Sequence, residues 1–406
     1  MDAEEARTIG RRLRQIRKAR RKALVVVAGL AGMSKSKLDR IERGEMALDK
    51  LSDIVALADA LEVAPGDLVR LPVPAPANGH TDSTVEAVGQ ALDAIEVEEP
   101  GGLVLPVAVL VEQVSRMVAQ VRACRFAEVA SDLPGLIANL HTTLDTDADH
   151  AELLELAVCL HVQVTGEWLR DAGAHTQLRR RVAFLARRLA RERDEVASLA
   201  MAGYGVARVL LAGGAFRRCQ AVLDSIALPP TTPDTARLVA LLTKLRAKAA
   251  VLHGRVGDAV APMDAAAELA ERFGTSGDVD SHGLFYTPVD AAGDRIWLAL
   301  EADEPDQAVN LAREIDPRHH PFPIARAYLW IQTGQGLSKL PGRGDDAVRA
   351  LRTAERVFPT KVLRSQAVRE VLGELLTRGL VRGAMGVELR GMAYRAGLLT
   401  NEPPSA

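Results

Sequence analysis

A cluster of short polar and cationic side chains within residues 30–44 is suited to contact a nucleic acid. Leu38 and Ile41 lie among them, three positions apart. At this spacing a helix turns both apolar side chains toward a core and leaves the polar ones on its other side. Side chains of this kind meet base edges or phosphates. The predicted base-reading residues are Lys35, Ser36, Lys37 and Arg40.

The residues around this cluster have the signals of a short helix that follows a tight turn. Gly32 suits the turn, because only glycine adopts positive φ without steric cost. Ser34 is a natural N-cap and Gly44 a natural helix end. Apolar spacing predicts further helices over residues 8–20, 24–31 and 51–61, and Pro65 opens a short fifth one. The pattern predicts a helix-turn-helix, which lays one short helix in the DNA major groove.

Two motifs carry a family resemblance. Residues 30–44 read L-A-G-M-S-K-S-K-L-D-R-I-E-R-G, and residues 9–17 contain I-G-x-x-L-R-x-x-R. On these motifs residues 8–70 resemble the Cro/C1-type (XRE) DNA-binding domain, particularly its actinobacterial version. The resemblance implies a five-helix domain in which Lys35, Ser36 and Arg40 read bases and Arg43 contacts a phosphate. It also implies a buried ion pair between Arg17 and Glu42 that ties the first helix to the third.

The second helix departs from the family pattern. The family usually begins this helix with Ser/Thr-Gln, and the glutamine helps to anchor it on DNA. Here Ala23-Leu24 stands in that place, followed by three valines, which are poor helix formers. Val25 or Val26 is predicted to replace a polar residue that faces DNA. An unusual sequence preference, a weak affinity or a loss of DNA reading would each follow.

Charge is distributed unevenly along the chain. Nine Lys or Arg and no Asp or Glu lie between Arg7 and Lys22. Residues 1–70 have a net charge of +4, which leaves −6 for the remaining chain. A charge run alone is more often a solvated helix face, but this one adjoins an independent motif and favours phosphate neutralisation and salt-sensitive binding. The predicted phosphate contacts are Arg21, Lys22 and Arg43.

Length and composition indicate two regions of closely packed helices. The chain has 406 residues, of which 48% are hydrophobic and 3% aromatic, so small side chains must form many helix contacts. Alternating prolines over residues 71–79 predict an extended spacer that tethers the N-terminal domain. The predicted organisation is a helix-turn-helix domain over residues 1–71, a linker with one candidate helix (83–95) over residues 72–102, and a helical-repeat domain over residues 103–400.

The chain is expected to be cytoplasmic. Its longest apolar runs, residues 23–33 and 102–111, are too short to span a bilayer, so no membrane partner is expected. The chain starts Met-Asp-Ala-Glu-Glu, without the apolar stretch of a signal peptide. Three widely spaced cysteines within apolar helical patterns, Cys124, Cys159 and Cys219, are expected to be reduced thiols.

A weak repeat runs through the large region. A break residue is followed five positions later by a small residue at Gly214/Cys219, Gly254/Ala259, Asp303/Ala308 and Gly342/Ala347. Antiparallel helix pairs stacked at such a period form an α-solenoid. This region resembles the divergent tetratricopeptide-like (TPR-like) arrays that follow XRE domains in actinobacterial regulators; an armadillo-like packing is the alternative. The predicted fold class is all-α.

Two groups of residues could form a ligand groove in the large region. Three arginines fall on one side of a predicted helix over residues 176–193, and much of the scarce aromatic content lies within residues 285–330. The alternatives are a solvated helix face for the arginines and a well-packed core for the aromatic residues. The candidate groove residues are Arg180, Arg187, Arg191, Tyr286, Trp297, Tyr328 and Trp330.

No residue constellation indicates catalysis, a metal site or a cofactor. His319-His320 has no further ligands at metal-binding spacing, and no nucleophile motif or phosphate-binding loop is present. An enzyme is therefore not expected. The sequence predicts a DNA-binding transcriptional regulator that acts on double-stranded DNA as a homodimer, with the repeats sensing a small molecule, peptide or protein. The alternative is an interaction scaffold whose helix-turn-helix no longer reads DNA.

Overall fold

In a computed structural model of the chain, the structure describes residues 3–63, 65–68, 79–146, 150–273, 284–379 and 382–398. These residues form helices joined by turns and extended segments, and no β-strand occurs among them, so the predicted all-α fold is confirmed. They divide into two compact units. One combines Met1–Ala77 with Leu337–Ala406, and the other is Asn78–Gly336.

The N-terminal helices, which we call the head, form a small core of their own. Leu13, Val27, Leu38 and Leu57 are completely buried there, one from each of the first four helices. These side chains occupy the apolar positions whose spacing predicts the helices. The helices are α1 (Ala3–Ala19), α2 (Leu24–Leu30), α3 (Lys35–Glu42), α4 (Leu51–Leu61) and α5 (Pro65–Leu68).

The second unit contains the next thirteen α-helices, the last of which extends three residues beyond Gly336 into the first unit. Its first helix contains the candidate helix of the predicted linker. A π-helical turn, Leu160–Thr165, leads directly into the tenth α-helix. The helices are α6 (Gly79–Glu96), α7 (Val107–Arg122), α8 (Phe126–Leu144), α9 (His150–Cys159), α10 (Gly166–Asp171), α11 (Thr176–Arg193), α12 (Val196–Ala212), α13 (Phe216–Asp224), α14 (Pro233–Leu252), α15 (Val260–Phe273), α16 (Pro288–Glu301), α17 (Pro305–Arg313) and α18 (Pro323–Lys339).

The break residues of the predicted repeat share one backbone conformation. Gly214, Gly254 and Gly342 have φ of 70°, 82° and 71°, and Asp303 has 58°. Each of these left-handed residues lies between the end of one helix and the start of the next. The small residue five positions after each break is buried in every case. These residues are Cys219, Ala259, Ala308 and Ala347. The solenoid arrangement itself remains a prediction.

The last four helices belong to the same unit as the head. They are α19 (Gly344–Val357), α20 (Pro359–Arg364), α21 (Gln366–Arg378) and α22 (Gly383–Arg395). Val387 packs against the core of the head, and Glu388 forms ion pairs with Arg20 and Arg352. At Gly391 a Cβ would lie 2.8 Å from the carbonyl oxygen of Glu62, so α22 approaches the end of α4 closely. The predicted boundaries at residues 71 and 102 remain a prediction. The head is connected to the rest of the chain by the linker and also packs against α22.

Candidate nucleic-acid interface

Helix α3 presents the predicted base-reading side chains on its exposed side. Ser34 caps the helix, since its Oγ accepts a hydrogen bond from the backbone N–H of Lys37 at 3.2 Å. Leu38 and Ile41 are buried, whereas Lys35, Ser36 and Arg40 are exposed. The eight residues of α3 span about 12 Å. With its side chains an α-helix is about 10–12 Å across, which fits the major groove of B-DNA, about 12 Å wide.

Two of the predicted DNA-contacting cations have acidic neighbours within the head. The ammonium of Lys37 donates to Asp53 on α4 at 2.7 Å and is half-buried. Arg43 is about half exposed and pairs with Asp39 at 3.0 Å and Glu45 at 3.1 Å. Exposed ion pairs contribute little to stability and exchange readily for another anion. Arg43 can therefore turn to a phosphate at low cost, while Lys37 would first have to leave Asp53.

A bidentate ion pair fixes α3 against α1. Arg17 Nε donates to Glu42 Oε1 at 2.6 Å, and its Nη2 donates to Oε2 at 2.7 Å. The same guanidinium donates to the backbone carbonyl of Lys22 at 3.1 Å. The hydrogen bond to Glu42 raises the pKa of Arg17. Because Glu42 is only 5% exposed, its carboxylate would be a buried, unpaired charge if Arg17 were removed.

The backbones of α1 and α3 touch beside this ion pair. A Cβ at Gly10 would lie 2.2 Å from the carbonyl oxygen of Ile41 and 3.0 Å from that of Glu42. Contacts under 3.0 Å are essentially absent between real Cβ atoms and their neighbours. Glycine is therefore required at this crossing by space rather than by its backbone angles. This close crossing fixes how α3 packs against α1.

Residues 8–71 match a family described as a helix-turn-helix domain. The head is a helix-turn-helix domain. This module is a DNA-binding one, which supports a DNA-binding regulator. A search of curated proteins and a search of solved structures found no significant match. None of the helices in the described part of the chain is both long and apolar enough to cross a membrane.

The two other predicted phosphate contacts of the helix-turn-helix domain differ in availability. Arg21 is exposed at the turn between α1 and α2, where its φ is 53°. The ammonium of Lys22 donates to the carbonyl of Ala60 at 2.7 Å, near the C-terminal end of α4, where a cation is favourable. Burial lowers the pKa of Lys22, with a smaller effect from Arg20. The contact of Lys22 with phosphate remains a prediction, and the structure gives this side chain a role in holding the domain together.

Helix α2 of the helix-turn-helix domain exposes apolar side chains. Val25, Val26 and Leu30 are 61%, 49% and 63% exposed, while Val27 and Ala28 are buried. No side chain caps the start of α2, where the family usually has Ser or Thr. At this end of α2 a phosphate could accept hydrogen bonds from backbone N–H groups, but the helix start has no side-chain amide to contact it.

The candidate groove residues of the second unit fall into separate places. Tyr286 and Tyr328 line a cavity of about 280 Å³. The α11 arginines are outside its lining: Arg180 and Arg187 are half-buried, and Arg191 is exposed. Trp297 and Trp330 are also absent from the lining among the residues that the structure describes. The predicted groove is therefore not one site.

The cavity has cationic side chains that sequence reasoning missed. Their positions on α14 follow helical spacing, since Leu241, Lys244, Leu245 and Lys248 fall on one face of the helix. That spacing could have been found in the sequence. Within the described ranges no group of His, Cys, Asp and Glu is arranged to hold a metal ion. The additional cationic residues of the cavity are Arg122, Arg170, Arg208, Lys244 and Lys248.

Proposed function

We propose that this protein is a sequence-specific transcriptional regulator of XRE type that binds double-stranded DNA and acts by binding rather than catalysis. The observation that carries the proposal is the exposed face of α3, which is held at a defined angle by the Gly10 crossing and the Arg17–Glu42 ion pair. A rigid cationic helix of major-groove size has the properties that base reading requires.

The exposed side chains divide into two roles in this proposal. Lys35, Ser36 and Arg40 read base edges, since all three are exposed on α3. Arg21 and Arg43 neutralise phosphates, which fixes the position of the domain on the duplex without reading sequence. Their contribution falls as salt rises, because phosphate contacts displace condensed counterions.

We also propose that the regulator binds as a homodimer and that its second unit receives a signal. Two recognition helices would then enter successive major grooves about 34 Å apart on a near-palindromic site. The TPR-like resemblance of residues 103–400 and the cavity among their helices support a receiving role. A truncation after residue 75 is a poor test of dimerisation, because it also removes Val387 from the core of the head. Sedimentation of the full chain with and without its DNA tests dimerisation directly.

The test of DNA reading is selection of bound fragments from sheared genomic DNA by the full chain, followed by sequencing. A Lys35→Ala/Arg40→Ala variant is compared with an Arg116→Ala/Arg125→Ala control, which removes two exposed cations of the second unit. We expect a recurring inverted repeat with the wild type and the control and its loss in the α3 variant. Enrichment that is equal in all three proteins would contradict base reading by α3.

A second function is favoured by the apolar surface of α2. Val25, Val26 and Leu30 are exposed at the place where the family has polar contacts to DNA. Exposed apolar clusters mark interaction sites. In this alternative the protein is an interaction scaffold whose head contacts another protein. Fragment selection distinguishes the two, since a scaffold enriches no motif, and Val25→Gln/Val26→Gln would then weaken partner binding instead of restoring DNA contacts.

A further inference from the structure

The cavity of the second unit lies among six helices that are far apart in the sequence. Helices α7, α10, α12, α14, α16 and α18 each contribute lining residues. The π-helical turn Leu160–Thr165 contributes Gln163 and leads directly into α10. Insertions of this kind in helical proteins are frequent at functional sites. At about 280 Å³ the cavity is near the lower end of the range of small-molecule sites.

The lining has more cationic than anionic side chains. Five arginines and lysines line it, against three carboxylates. One carboxylate, Glu167, forms ion pairs with both Arg170 and Arg208. Another, Asp290, accepts a hydrogen bond from the buried ring of His320 at 3.1 Å. Each carboxylate is thus already engaged, and the cations outnumber them in a partly desolvated space.

Of the two lining lysines that share Asp294, Lys248 forms the longer ion pair. Its ammonium lies 3.9 Å from Asp294, whereas Lys244 lies 2.9 Å from the same carboxylate. The hydroxyl of Tyr286 also donates to Asp294, at 2.9 Å. Burial, with Lys244 nearby, lowers the pKa of Lys248 to about 8. Because Asp294 also contacts Lys244 and Tyr286, it only partly neutralises Lys248, and a bound anion would stabilise the charge of this ammonium further.

Much of the remaining lining is apolar or aromatic. Leu241 and Leu245 flank the two lysines on α14, and Ile324 and Leu329 of α18 also line the cavity. A ligand that places an anionic group at Lys248 would cover these apolar side chains with its remaining atoms.

The amide of Gln332 provides a second sign of a polar ligand. This side chain lines the cavity, and its Oε1 is buried without a hydrogen-bond donor among the described residues. A buried acceptor without a donor is costly unless a bound group supplies one. The cavity therefore has both an excess of positive charge and an unmatched acceptor.

We infer that this cavity binds a small organic anion, with the anionic group at Lys248 and an apolar body against α14 and α18. The inference deepens the sensing part of the proposed function, and it can be tested without DNA. A carboxylate and a phosphate ester share the necessary chemistry, so the probes include both. A cationic ligand is disfavoured by the same excess of charge.

The test is ligand-observed NMR on the full chain without DNA, with phenylacetate, octanoate and phenyl phosphate as anionic probes. The primary amides of the two carboxylates serve as neutral probes of nearly the same shape. Lys248→Met removes the charge and keeps the length of the side chain, and Lys248→Arg keeps the charge. Lys50→Met, at an exposed position of the head, is the matched control. Circular dichroism checks that each variant is folded, and Lys248→Gln replaces Lys248→Met if the latter is not.

We expect at least one anion to bind with a millimolar Kd or tighter, and its amide at least about tenfold more weakly where one exists. Lys248→Met should weaken anion binding by about tenfold or more, whereas Lys248→Arg and Lys50→Met should retain it. The inference is overturned if no anion binds at about 10 mM, if amides bind as well as their acids, or if Lys248→Met leaves anion affinity unchanged. A head that fails to read DNA would alter none of these results, so the two proposals fail separately.

Discussion

Replacing Glu42 by methionine should loosen α3 by about 3 kcal/mol, at the lower end of the cost of breaking a buried ion pair. The change removes both oxygens that the Arg17 guanidinium contacts, at 2.6 and 2.7 Å, and leaves this cation 13% exposed. The lower end applies because Arg17 retains its bond to the carbonyl of Lys22 and some contact with water. The reverse change, Arg17→Met, should cost a similar amount, since it leaves a buried carboxylate.

The double variant Arg17→Met/Glu42→Met distinguishes the energy of the ion pair from the cost of leaving one charge buried and unpaired. With both partners replaced by methionine no charge is left unpaired, so the loss should be no greater than for either single change. The coupling free energy between the two positions would then be about 3 kcal/mol. Glu45→Met is the matched control, because Glu45 is about half exposed and its ion pair is with an exposed Arg43. We expect it to change stability by less than about 0.5 kcal/mol.

Hydrogen exchange of the full chain measures these losses where they occur. Peptides that cover α3 should exchange about a hundredfold faster in Glu42→Met, and peptides from α8 in the other unit should be unchanged. A local measurement is preferable to global unfolding, because two compact units need not unfold together. Additive effects of the two single changes, within about 0.5 kcal/mol, would refute the reasoning that this pair fixes the recognition helix.

Three further changes test other contacts. Gly10→Ala should lower the free energy of unfolding of the head by at least about 2 kcal/mol, because its Cβ meets the Ile41 carbonyl; thermal unfolding with unchanged stability would contradict this. Lys248→Met should raise the unfolding free energy at pH 7 by up to about 3 kcal/mol, since the pKa of this lysine is lowered from 10.5 to about 8. The cost of its charge is fully present below pH 8 and disappears toward pH 10.5, so urea titrations should show the gain of the variant shrinking over that range. Glu388→Gln should speed exchange in α22 by tenfold or more, because it weakens the ion pair with Arg20; equal exchange would argue against that contact.

The sequence was most informative where function depends on local signals. Ser34 caps α3 and Leu38 and Ile41 are buried, as the turn, cap and spacing predict. The helix over residues 176–193 has the predicted bounds. Such signals lie within a few residues of one another, so they can be read without knowing what packs against the helix.

Contacts between distant segments could not be predicted in the same way. The periodicity of α11 places Arg180 and Arg187 on one side, but it does not say which helix lies opposite, and the cavity formed elsewhere. Likewise the charge run does not indicate that the ammonium of Lys22 reaches the carbonyl of Ala60, 38 residues away. The association of Val387 with the head depends on more than 300 intervening residues, for which a single sequence offers no signal.

Because the head packs against the last helices, part of its surface stays uncovered while the rest of the chain is being synthesised. The two segments of the first unit, which end at Ala77 and begin at Leu337, are separated by 259 residues. At a synthesis rate of roughly 5–20 residues per second, the last residue of the first segment is made roughly 13–52 s before the second segment begins to be made. Throughout that interval the surface that Val387 and Gly391 later cover faces solvent. A message cut short before α22 would therefore yield a head without its cover, a product that chaperones and proteases would recognise.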